Sequence, residues 1–122
     1  MTTRTKGVTK SVVFITKAIE SLEDPLHEGE FPVYKWSIQM WGEREDGSWE
    51  DPSYYISRVA FELHPSFTKS RRVLAVAPYT VREKGWGEFE IGAEIVFTDP
   101  SVPHFQTQIQ LLFDPVSESR VT

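Results

Sequence analysis

The sequence predicts an all-β domain, an immunoglobulin-like antiparallel sandwich of about seven or eight short strands. Apolar and polar residues alternate with a period of two in several separate segments. Turn-forming residues stand between those segments, and no stretch sustains the helical period.

Taken in order, Val12 to Leu22 opens on the dense run Val12-Val13-Phe14-Ile15 and then thins into charged residues, a first strand. Asp24-Pro25 and His27-Glu28-Gly29 supply the loop that follows. Phe31 to Trp41 alternates, with Trp36, Ile38 and Met40 on one face and Lys35, Ser37 and Gln39 on the other. Gly42 to Pro52 is polar and carries a turn signal at Asp46-Gly47. Tyr55 to Leu63 reads as a strand with Tyr55, Ser57, Val59, Phe61 and Leu63 on one side, and Val73 to Val76 as a short strand closed by Pro78. Glu88 to Phe97 has the cleanest alternation. Phe89, Ile91, Ala93, Ile95 and Phe97 point one way, and Glu88, Glu90, Gly92 and Glu94 the other. Phe105 to Phe113 repeats the pattern against Gln106, Gln108 and Gln110, so these last two segments form a solvent-facing sheet surface.

A chain of 122 residues suits one domain. It is expected over residues 10–114, with residues 1–9 and 115–122 as loose polar termini. The absence of cysteine excludes disulfides and thiolate metal sites. A net charge of −5 argues against direct nucleic-acid binding and favours a basic partner. No apolar stretch approaches the roughly 20 residues of a membrane span. Met1 to Lys10 lacks the apolar core of a secretory leader, so an intracellular setting is expected.

Two short stretches stand apart from the strand pattern: His64-Pro65-Ser66-Phe67 and Gly85-Trp86-Gly87. Serine catalysis would need His64 to reach Ser66 and a third group to orient the imidazole. On an extended segment the two side chains point apart unless Pro65 redirects them, and no glycine-rich oxyanion loop follows. The chain therefore reads as no enzyme. His27, His64 and His104 are too scattered for a metal site, so neither metal nor cofactor is expected. A ligand slot fits better. Loops at one end of a sandwich cluster, so Phe67 and Trp86 could form two flat walls, with the Ser66 hydroxyl between them. Gly85 and Gly87 would let backbone approach a ligand closely, or would serve positive φ in the connection. A neutral planar amide suits such a slot. An acylated lysine offers one, whereas a bare ammonium would lose its hydration there. The plainer alternative is that Phe67 caps the core, Ser66 closes a turn and Trp86 folds onto the rim.

The run from Ile56 to Phe97 resembles the YEATS domain. The features are Val59, Phe61, Leu63, His64, Ser66 and Phe67, then Arg72-Val73, Pro78-Tyr79 and Gly85 to Ile91, with Trp36 as the tryptophan of the second strand. The resemblance implies an immunoglobulin-like sandwich and, for the eukaryotic members, a reader of acetylated and crotonylated histone lysine. Carried over, His64 and Phe67 line the slot and Ser66 hydrogen-bonds the acyl-lysine amide. Trp86 stacks on the acyl group and offers its backbone N–H to the acyl carbonyl, while Gly85 and Gly87 shape an open end. Where the family has a histidine two residues before Trp36 this chain has Tyr34. Four residues before Trp36 stands Pro32, with Phe31 next to it. Phe31 and Tyr34 are thus the candidates for a third wall.

The resulting expectation is a non-enzymatic acyl-lysine reader of a peptide, foremost a histone tail, within a larger complex. Glu83 and Glu88 would attract basic residues beside the modified lysine. The alternative is a YEATS-like protein-interaction module, of a kind also found in prokaryotes, that does not read acyl-lysine. Location would be nuclear in a eukaryote and cytoplasmic in a prokaryote.

Overall fold

A computed structural model describes residues 10–23 and 31–122. Its strands are β1 (Ser11–Glu20), β2 (Tyr34–Glu43), β3 (Trp49–Glu50), β4 (Ile56–Glu62), β5 (Arg71–Leu74), β6 (Val81–Gly85), β7 (Phe89–Phe97), β8 (Phe105–Leu111) and β9 (Val116–Val121). Among the described residues the one helical turn is the 3-10 segment Pro52–Tyr54, capped by the Asp51 side chain. All pairings are antiparallel. One sheet runs β3-β2-β1-β9, with β6 also paired to β2, and the other runs β5-β4-β7-β8. This is the expected sandwich.

The two inner faces meet in a core that contains Phe14, Ile38, Met40, Phe61, Ile91 and Leu111, all essentially inaccessible to water. Phe14 of one sheet meets Phe61 of the other edge to face, with centroids 6.2 Å apart. Each such side chain contributes about 1.5–3 kcal/mol by leaving water, so this layer holds the sheets together. The dense run at the start of β1 has a second cause. Val12 and Phe14 belong to the core, but Val13 and Ile15 face the other way and are buried too. Opposite them stand Trp41 and Gln39 on β2 and Arg120 and Glu118 on β9.

Three details depart from the sequence reading. First, a register shift between Ile56 and Arg58 interrupts the pairing of β4 with β7. It turns Ile56 inward, where simple alternation placed Tyr55 and Ser57; a bulge breaks the period of two. Second, Val81–Gly85 is a strand, paired with Tyr34–Ile38, in what reads as a loop. Only Val81 of its five residues is buried, so it carries almost no apolar signal. Third, residues 116–121 are not a loose tail. They form β9 on the free edge of β1, from Lys17↔Val116 to Val12↔Val121. The Arg120 Nε–H donates to both Glu43 carboxylate oxygens at 2.9 and 3.0 Å, reaching across β1 to β2. A polar strand is stable there because the ladder satisfies its backbone and its side chains cover Val13 and Ile15.

The Asp46-Gly47 turn forms as expected. Gly47 has φ of +86°, and the Asp46 carboxylate accepts the Ser48 N–H at 2.9 Å. Tyr79, fully buried, donates its hydroxyl to the Ile56 carbonyl at 3.0 Å and so ties the β5–β6 connection to the start of β4.

Candidate functional site

The chain leaves β4 through a tight turn at residues 64–67. The Phe67 N–H donates to the His64 carbonyl at 3.0 Å, with Pro65 at the position where its fixed φ suits such a turn. The turn redirects the side chains. Ser66 Oγ lies 2.9 Å from His64 Nδ1, and the Ser66 backbone N–H donates to the same nitrogen at 3.1 Å. A nitrogen accepting that N–H carries no proton of its own, so the neutral ring holds its hydrogen on Nε2. Ser66 is then the donor in the hydroxyl contact, which leaves its oxygen lone pairs able to accept. Among the described residues no carboxylate is hydrogen-bonded to His64. The histidine–serine contact braces the turn from within.

Below the turn lies an aromatic cluster. The Phe67 ring meets Trp36 edge to face at 5.9 Å and Phe89 at 5.7 Å; Phe89 also contacts Trp36 at 5.7 Å and His64 at 6.0 Å. The second stretch arrives at this cluster from β6. A Cβ on Gly85 would sit 3.7 Å from Phe67 Cζ and 3.7 Å from Trp36 Nε1, so the end of β6 packs directly on the Phe67 ring. The two loops are therefore neighbours in space. Trp86 follows at 47% exposure and stacks on Phe31, which is 50% exposed, with centroids 5.3 Å apart. Gly87 has open space where a Cβ would stand. Neither Gly85 nor Gly87 has positive φ; Gly47 is the described glycine that does.

Phe31 and Tyr34 part company. Phe31 joins Trp86, whereas the Tyr34 ring stacks on Phe113 at 4.3 Å. Both acidic candidates are engaged within the chain. Glu83 Oε2 lies 2.6 Å from Arg72 Nη2, and Glu88 Oε2 accepts the Phe113 backbone N–H at 2.6 Å.

Two contributors escape the sequence reading. Phe89 reads there as one more inward residue of β7, yet it touches three members of the cluster. Arg72 reads as motif only. Its guanidinium donates to the carbonyls of Lys69 and Thr68 while pairing with Glu83 on β6, so it pins the loop after Phe67 to the strand that leads to Trp86. Lys69 sits in the left-handed region at φ +53°, which presents its carbonyl to this clamp. An arginine fits because its planar fork serves several acceptors at once. Among the described residues no group of histidine, aspartate or glutamate could hold a metal ion.

Comparison with known proteins agrees with this architecture. The transcription initiation factor TFIID subunit 14 of Schizosaccharomyces pombe is 35% identical over 79 residues, 65% of this chain and 32% of that protein. The protein AF-9 homolog of Emericella nidulans is 33% identical over 110 residues, 87% of this chain and 38% of that protein. The chain thus spans under half the length of these relatives. The crystal structure of the Yaf9 YEATS domain bound to H3K27ac superimposes with a TM-score of 0.71 at 24% identity, covering 93% of this chain and 80% of that one, a likeness of fold. Residues 31–117 match the YEATS family, and the chain belongs to that family.

Proposed function

We propose that this chain is a non-enzymatic reader of acylated lysine in a peptide, foremost a histone tail, working in the nucleus as part of a larger assembly. The observation that carries the proposal is the packing of Gly85 on the Phe67 ring. It sets the 64–67 turn beside Trp86, as a slot between two loops requires. The solved complex of a Yaf9 YEATS domain with H3K27ac, and relatives named as transcription factor subunits, support it.

In this reading the acyl group lies between Phe67 and Trp86, and the lysine amide N–H donates to Ser66 Oγ. The brace from His64 leaves that oxygen acting as an acceptor, which discriminates an amide from an ammonium by geometry as well as by desolvation. Phe31 already covers one face of Trp86, so the acyl group stacks on the other face or takes Phe31's place. That same contact favours a second reading, an interaction module with this fold and no acyl-lysine site.

Titration of the labelled protein with acetyl-, crotonyl- and unmodified-lysine peptides, followed by NMR, separates the two. Shifts at Ser66, Phe67 and Trp86 with the acylated peptides alone support the reader. Identical shifts with all three, or none, rule it out.

A further inference from the structure

A strand at the margin of a sheet presents backbone N–H and C=O groups that no neighbour takes, and charge or shortness ordinarily guards it against pairing with another chain. Among the described residues β5 and β8 end the second sheet, and β9 ends the first beyond β1. On the far side of β2, β3 is two residues long and β6 carries Arg82, Glu83 and Lys84. β5 carries Arg71-Arg72, and β9 carries Glu118 and Arg120. β8 has no such guard. It is Phe105-Gln106-Thr107-Gln108-Ile109-Gln110-Leu111, without a charge or a proline.

The unguarded edge is also complementary to itself. A two-fold axis through Gln108, perpendicular to the sheet, aligns a second copy antiparallel and keeps its inner face on the same side. Gln108 then meets Gln108 of the second copy, Gln106 meets Gln110, and Phe105 meets Leu111, so all seven residues of the strand pair. Amide stands beside amide on the outer face. On the inner face Phe105, 41% exposed in the single chain, is covered by an apolar neighbour. The acids nearest this edge stand one strand back, Glu90 opposite Gln110 and Glu94 opposite Gln106. Three strand spacings, about 14 Å, then separate Glu94 from Glu90 of the second copy, more than a screening length. Glu94 is moreover held by Arg71 and His104.

The edge of the other sheet agrees. A cleft of about 200 Å³ lies between β8 and β9, lined by Ile109 and Gln110 on one side and by Ser117, Glu118 and Ser119 on the other. The two edges therefore run side by side, and one axis near Gln108 and Ser119 serves both. About Ser119 it sets Glu118 opposite Arg120 of the second copy, unlike charges facing. In the single chain Arg120 already holds Glu118 and Glu43, so this exchange selects register more than it adds affinity.

We infer that two copies of this chain associate edge to edge through β8, joining their four-stranded sheets into one. The two-fold axis uses up the unguarded edge of each copy, and the outer margins left are the β5 edges with Arg71 and Arg72, so assembly stops at two. Antiparallel alignment puts the 64–67 turns at opposite ends of the pair, which leaves both acyl-lysine slots open.

Sedimentation velocity from about 5 to about 500 µM should show a reversible monomer–dimer equilibrium, with a dissociation constant of about 10–100 µM as a small interface gives. Gln106→Lys/Gln110→Lys sets like charges opposite each other across the axis and should weaken association by about tenfold or more. Gln106→Lys/Gln110→Glu sets unlike charges there and should bring it back to within about threefold of the parent. Glu118→Lys, which faces Arg120, should weaken it by about threefold. Thermal midpoints at about 5 µM check the fold of each variant where the chain is monomeric. Acetyl-lysine peptide titration should read the same in all of them, so the outcome is independent of the slot. A chain that stays monomeric throughout overturns the inference, as does equal association of the two double variants. So does growth beyond two copies into thioflavin-staining fibres, or a monomer that instead takes a neutral extended peptide of unrelated sequence at this edge.

Discussion

Removal of the Arg72 guanidinium is the sharpest probe of how the two loops are held together. Arg72 Nη2 lies 2.6 Å from Glu83 Oε2, and the two side chains are 25% and 27% exposed. A fully exposed pair is worth about 0.2–1 kcal/mol, and breaking a fully buried one costs about 3–5 kcal/mol. A pair three-quarters shielded lies between, nearer the exposed limit because water still reaches both groups. Arg72→Ala also frees the Thr68 and Lys69 carbonyls, but these are exposed and water replaces the donor at little cost. The expected loss is about 1–2 kcal/mol, or about 4–10 °C in thermal midpoint for a domain of this size. Glu83→Ala should cost less, and the double-mutant cycle should return a coupling of about 0.5–1.5 kcal/mol. Because the clamp ties the loop after Phe67 to β6, Arg72→Ala should also weaken acetyl-lysine peptide binding by about threefold to tenfold, measured by calorimetry. A coupling energy of zero, or unchanged peptide affinity at lowered stability, would refute the role given to the clamp.

Other expectations follow from the same geometry. Trp86→Ala should reduce acyl-lysine binding by about 1–3 kcal/mol with little change in stability, since the ring is half exposed. Glu88→Ala should do the reverse, because its carboxylate holds the Phe113 N–H; equal effects on affinity would mean the slot is misplaced. Burial, aided by nearby Glu50, pushes the Tyr55 phenol up to about 12 from its ordinary value near 10. The folded chain thus holds that proton more tightly than the unfolded one, so the associated stability is complete below about pH 10 and is lost as pH rises through about 12. Burial raises the Tyr79 phenol as well, so tyrosinate absorbance should show a late-titrating group of phenols from which Tyr55→Phe removes one. Deletion of residues 115–122 removes β9 and uncovers Val13 and Ile15, which should cost about 3 kcal/mol or more in denaturant unfolding; an unchanged midpoint would show that β9 adds nothing.

What the amino-acid sequence determined by itself was whatever a single strand imposes on its own side chains. Trp36, Ile38 and Met40 on β2, and Ile91, Ala93 and Ile95 on β7, had to share a face because a strand repeats every two residues, and two such faces bury only against each other. Asp46-Gly47 and His64-Pro65-Ser66-Phe67 announced turns because their local chemistry makes them. The order of residues from Val59 to Ile91 was specific enough to point to the family.

Only the tertiary structure decided the rest. Val81–Gly85 and Val116–Val121 are strands because a free edge of β2 and of β1 was waiting for them, and their own residues are too polar to announce it. Phe31 rather than Tyr34 joins Trp86 because Phe113 takes the Tyr34 ring, a contact between residues far apart in the chain. Glu83 pairs with Arg72, and Glu88 accepts the Phe113 backbone N–H, partners that lie far from them along the chain. Periodicity is a property of neighbours along the chain. Which charge finds which partner depends on distances that exist only once the two sheets have closed on their core.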